Sequence, residues 1–152
     1  MQSWEIVVRE LVRQTLSDYT AATDRFDLAA LAGCFAEDGV LEYHGGEPLT
    51  GPAAIESGLA AQMSAPRTGR QATYVRHHVS SVRFVEVTPA RAEVTSYFAV
   101  HTDIGLDHWG RYRDSLVPGA GRWLFARRRI SVDGFAADSL MRPSGPDELL
   151  GE

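Results

Sequence analysis

Three residues carry the clearest prospect of chemistry in this sequence: the aspartate Asp24 and the adjacent histidines His77 and His78. Asp24 ends an apolar-periodic first segment, where the negative end of a helix dipole disfavours a further negative charge. Its neighbours Thr23 and Phe26 offer little compensation, although Arg25 is adjacent. Such a carboxyl either turns to water as a loop residue or tucks into a cavity mouth and orients a base. His77 and His78 lie in a segment of period two and must point to opposite faces. His77 shares its side with Val75 and Val79, His78 with Arg76, so His77 is expected to face inward. An inward imidazole whose ring N–H meets a carboxylate is a general base suited to neutral pH. The alternative is a core histidine bonded to backbone.

Other side chains could complete such a site. His108 alternates with Gly110 and Tyr112, and His101 with Tyr97 and Ala99, so each either lines a pocket or faces solvent. Tyr19, Tyr43 and Tyr97 could each present a phenol to a substrate carbonyl, or serve as amphipathic packing. Arg127 alternates with Trp123, Phe125 and Arg129, which makes it a candidate to stabilise an oxyanion, or equally a residue of a solvated sheet edge. No metal-ligand spacing, phosphate-binding loop or nucleophile elbow is present, so neither metal nor cofactor is expected. His77 and His78 project oppositely and cannot share one ion. Cys34 sits in an apolar stretch and reads as structural.

The chain that must position these groups has 152 residues, 44% of them apolar, which suffices for one compact domain. No apolar run approaches the roughly 20 residues of a membrane span, and the first residues lack the pattern of a signal peptide. A formal net charge of −5 argues against nucleic acid as a partner. The Arg127–Arg129 run is too short to reverse that. A lone cysteine forms no internal disulfide, so a cytoplasmic location is expected.

Period then assigns the elements. Val8, Leu11, Val12, Leu16, Tyr19, Thr20 and Thr23 form one helical stripe, with Ser3 as the expected N-cap. Asp27 is expected to cap a second helix running through Leu28, Leu31 and Phe35. A short strand follows at 39–44, bounded by Gly45-Gly46. Pro52 opens a third helix reaching about Met63. From there the period changes to two, predicting strands at 74–79, 81–87, 91–101, 107–117 and 122–132, with turns at Thr88-Pro89-Ala90, Gly105 and Pro118–Gly121. Close turns imply antiparallel hairpins. The order predicts an α+β fold, a curved antiparallel sheet wrapped around three N-terminal helices as a cone with an internal pocket. Residues 1–135 form that domain, and 136–152 are expected to be a mobile tail.

The stretches Asp27–Tyr43, Thr50–Ile55, Arg76–Ser81 (Arg-His-His-Val-Ser-Ser), Gly110–Asp114 and Gly121–Arg128 resemble, in order and spacing, SnoaL-like proteins of the nuclear-transport-factor-2-like superfamily. The resemblance covers about residues 5 to 135 and implies the cone fold, commonly as a homodimer. Scytalone dehydratase and hexachlorocyclohexane dehydrochlorinase of that superfamily use an Asp–His dyad, and the resemblance carries those roles onto Asp24 and His77. It further implies that His108 faces the cavity. Ketosteroid isomerases carry a base Asp on the first strand, where this chain has Tyr43, so their mechanism is not expected. The implied activity is that of a cofactor-independent lyase, isomerase or polyketide cyclase acting on a small hydrophobic molecule. The alternatives are a ligand-binding or partner-scaffold domain without turnover, or a role like that of dioxygenase small subunits.

Overall fold

The computed structural model describes residues 1–67 and 69–143. Its elements run α1 (Ser3–Asp24), α2 (Leu28–Ala32), β1 (Phe35–Tyr43), β2 (Leu49–Thr50), α3 (Pro52–Ser64), β3 (Arg76–Val87), β4 (Ala92–Thr102), β5 (Gly105–Pro118) and β6 (Trp123–Phe135). Six strands form one curved, unclosed sheet in the order β2-β1-β6-β5-β4-β3. The helices pack on it through Val8, Val12, Leu16, Tyr19, Leu31, Ile55 and Leu59, which join Phe35, Phe98, Tyr112 and Phe125 in one core.

The sheet is mixed where the sequence predicted an antiparallel one. β1 runs parallel to β6, and the remaining neighbours pair antiparallel. Turn spacing reports only hairpins between consecutive strands. The β1–β6 pairing joins the two ends of the sequence and leaves no local signature. Other boundaries also moved. α1 is capped by Gln2 without a side-chain hydrogen bond, so Ser3 lies inside the helix and is not its cap. Asp27 does cap α2, accepting from the Ala30 amide at 3.0 Å. α2 stops at Ala32, however, and Phe35 begins β1. The segments expected as two strands at 74–79 and 81–87 are one strand, β3. Ser81, with φ 52°, is an extra residue accommodated as a bulge between the Ser80–Tyr97 and Arg83–Thr95 pairs.

Bulges do the positioning in this fold. Each inserts a residue, bends the strand and reverses which side chains face inward beyond it. On β3 the inward set is His77 and Val79 before Ser81, then Val82 and Phe84 after it. On β6, register shifts by one around Ala126, so that Trp123 and Phe125 point in, followed by Arg128 and Ile130. The segment after β6 folds back rather than hanging free: Ala136 donates to the Asp107 carbonyl at 2.7 Å, and Met141 packs against the core. Residues 144–152 of the expected tail lie outside the described residues.

Candidate functional site

Asp24 is the last residue of α1. The helix ends in a reciprocal pair of hydrogen bonds, Phe26 N–H to the Thr23 carbonyl and Asp27 N–H to that of Ala22, with Phe26 in the left-handed region at φ 56°. This termination sets the carboxylate against the start of β3. There the Asp24 carboxylate accepts the His77 backbone N–H at 3.1 Å and meets His77 Nδ1 at 2.7 Å. The His77 side chain is 13% exposed and that of Asp24 16%. A carboxylate only accepts, so Nδ1 carries a proton toward Asp24, and in the neutral ring Nε2 keeps its lone pair. The His77 amide also supplies the compensation that a carboxylate at a helix C-terminus lacks.

A second imidazole stands close enough that a charged His77 opposes the protonation of His108. The His108 Nδ1 lies 2.9 Å from Asp107, so its Nε2 is also free. Burial is the largest influence on His108 and holds it below its ordinary pKa, outweighing the opposing pull of Asp107. His108 is therefore neutral at pH 7, an acceptor at Nε2. Burial raises the phenols of Tyr19, Tyr43 and Tyr112, which stay protonated and remain donors.

Beneath these groups lies a buried ion pair. Arg128 Nε and Nη2 donate to the two oxygens of Asp114, both at 2.9 Å. The guanidinium carbon is 3.7 Å from the Tyr112 ring centroid, 4.2 Å from that of Tyr19 and 4.5 Å from that of Phe125. Nη1 is buried without a hydrogen-bond acceptor among these ring faces. Burial works against the charge of the arginine, but the Asp114 carboxylate more than offsets it and raises its pKa.

Of the side chains singled out in the sequence, Asp24, His77, His108, Tyr19 and Tyr43 belong to the inner side. Tyr97 and Arg127 do not. Tyr97 is 56% exposed on the outer face of the sheet. Arg127 points outward to Glu42 at 3.4 Å, because the bulge at Ala126 turns Arg128 inward in its place. Asp107 and Asp114, unremarked in the sequence, are fully buried partners of His108 and Arg128. A bulge hid the first, and the even alternation of Asp114 with Tyr112 could have signalled the second. A cleft of about 520 Å³ adjoins Asp24 between α1 and β3, walled by Arg13, Leu16, Ser17, Thr20, Val79 and Val82 among others. Among the described residues, no cluster of three or more histidine, cysteine or acidic side chains is arranged to hold a metal ion.

Residues 4–129 match the SnoaL-like domain family. The chain belongs to that family. Three solved structures share the SnoaL-like architecture. A candidate scytalone dehydratase from Novosphingobium aromaticivorans superposes with a TM-score of 0.74 at 22% identity, covering 95% of this chain and 100% of its own. ActVI-ORFA from Streptomyces coelicolor gives 0.70 at 22% identity, covering 82% and 96%. A Catenulispora acidiphila protein in complex with S-DNPA gives 0.67 at 24% identity, covering 84% and 95%. At these identities the likeness is one of fold. No curated protein matches the chain by sequence. No helix among the described residues is long and apolar enough to cross a membrane.

Proposed function

We propose that this protein is a cofactor-free lyase, isomerase or cyclase that moves a proton within a small, largely apolar carbonyl compound. The observation that carries this reading is the 2.7 Å contact between His77 Nδ1 and Asp24, both mostly shielded from water. His77 takes a proton from the carbon next to the substrate carbonyl at Nε2. The electron pair of the broken C–H bond flows toward the carbonyl oxygen as an enolate. Asp24 holds the productive tautomer and stabilises the imidazolium that forms. Tyr43, held protonated by burial, donates to the developing oxyanion or to a leaving oxygen. Neutral His108 accepts a hydrogen bond from a substrate hydroxyl. The buried, free thiol of Cys34 suits a reducing, cytoplasmic setting. Membership of the SnoaL-like family and the fold shared with the candidate scytalone dehydratase support this class of reaction.

An assay on a surrogate ketone tests it. In D₂O, the wild-type protein should accelerate deuterium exchange at the α-carbon of 2-tetralone, read by mass spectrometry. Asp24→Asn and His77→Gln should each lose about 10²–10⁴-fold of that acceleration. Folded variants that exchange at the wild-type rate would refute the dyad. Chemical-shift changes on adding the ketone, with its α-hydrogens left in place, would point instead to binding without turnover.

A further inference from the structure

We propose that Asp107 is a positioning residue that fixes the tautomer of His108, and that the segment 136–142, beyond the last strand, belongs to the site because it holds Asp107 in place. The inference rests on the reading above in which His108 meets the substrate.

The local geometry is unusual for neighbours on a strand, whose side chains ordinarily point to opposite faces. Here Val100 pairs with His108 and His101 with Leu106, so Asp107 is an extra residue in β5. This bulge turns the carboxylate inward beside the ring of its neighbour. Asp107 is fully buried, and both of its oxygens are occupied. Oδ1 meets His108 Nδ1 at 2.9 Å and accepts from Ser139 Oγ at 2.6 Å. Oδ2 accepts from the Leu140 amide at 2.7 Å and from Thr102 Oγ1 at 3.1 Å. Ser139 Oγ in turn accepts from the amides of Met141 and Arg142 at 3.2 and 3.1 Å, which folds the segment into a turn over the carboxylate. The Phe135 ring covers the imidazole at a centroid distance of 5.5 Å, with the Phe98 ring edge-on at 6.2 Å.

Two of the donors converging on Asp107, the hydroxyls of Thr102 and Ser139, can rotate and become acceptors. The Leu140 amide cannot. The imidazole can adapt only by moving its proton to Nε2, which would remove the lone pair that the proposed reading offers to the substrate. The carboxylate is thus what keeps His108 Nε2 bare, and the segment that supplies Ser139 and Leu140 keeps the carboxylate in register. A plain tether for the chain end would not require the ring to be Nδ1-protonated.

Long-range ¹H–¹⁵N spectra of the histidine rings in the full-length protein test this without any substrate, the His108 signals being assigned with His108→Gln. The wild-type ring should be protonated at Nδ1 with Nε2 bare; the reverse tautomer would overturn the proposal outright. In Asp107→Asn, the Leu140 amide claims the single amide oxygen and the NH₂ group faces the ring, so the His108 proton should shift to Nε2. Retention of the wild-type tautomer there would overturn the positioning role. Leu140→Pro, which removes the amide donor, should populate the Nε2-protonated form of His108, and an unchanged spectrum would exclude the segment from the site. Asp24→Asn should alter the His77 signals and leave His108 in its Nδ1-protonated tautomer. Failure of the dyad in the exchange assay is therefore distinguishable from failure here.

Discussion

At the scale of single residues, the decisive feature is which polar groups the core encloses and how each is paired. Arg128 and Asp114 are fully buried and meet through two parallel hydrogen bonds, with the guanidinium stacked among Tyr19, Tyr112 and Phe125. Removing one member strands a charge that water cannot reach. Arg128→Met should therefore cost about 3–5 kcal/mol of unfolding free energy, whereas adding Asp114→Leu should recover most of it. Urea denaturation of the single and double variants measures both. A single variant losing less than about 1 kcal/mol would mean that the pair is more hydrated than its burial implies. Simple alternation puts Arg127 on the side of Trp123 and Phe125, which makes it the candidate in the sequence; the extra residue at Ala126 hands that side to Arg128 instead.

At the scale of elements, the sheet shows how far simple alternation can be trusted. Along β4 it holds throughout, with Ala92, Val94, Ser96, Phe98, Val100 and Thr102 buried in turn. On β3, β5 and β6 an inserted residue shifts the phase, and side-chain assignments beyond it invert. His77 precedes the Ser81 bulge, so its inward face was legible; Arg127 follows the shift at Ala126, so its face was not. Tight strand contact also constrains composition. A Cβ on Gly110 would lie 2.0 Å from the Ser131 carbonyl oxygen and 2.7 Å from the Phe98 ring. The first of these is backbone and cannot swing aside. Gly110→Ala should destabilise by about 3 kcal/mol, at the upper end of overpacking effects, as β5 is forced from β6. Thermal and urea unfolding measure it, and a loss below about 1 kcal/mol would show that the strands separate without resistance.

At the scale of the whole molecule, protonation links the site to stability. His108 has a folded pKa depressed chiefly by burial, so below its unfolded value of about 6.5 the unfolded chain binds more protons. Its contribution to stability is thus complete above about pH 6.5 and is lost as pH falls through the lower folded value. Burial by itself would raise Asp107, yet the hydrogen bonds of Ser139, His108 and the Leu140 amide bring it net below its ordinary value. Its contribution is present above about pH 3.9 and is lost as pH falls through the folded pKa. Unfolding free energy measured by urea should climb from pH 5 to 7 in the wild type and climb less steeply in His108→Gln. Equal slopes would remove His108 as a group buried in its neutral form.

Sequence alone determined the three helices, the strand-rich second half and the α+β order, because apolar period and turn residues are local properties of the chain; it divided β3 in two and missed the two-residue β2. It also singled out Asp24 and His77, since a carboxylate at a helix end and an imidazole on the apolar side of a strand are each legible from their immediate neighbours. Only the tertiary structure decided that β1 lies parallel beside β6, that Arg128 rather than Arg127 enters the core, and that Asp107 joins its own neighbour His108 under the segment that follows the last strand. Those outcomes depend on pairing between distant strands and on where the sheet absorbs an extra residue, and both are settled by how the whole sheet curves around its helices.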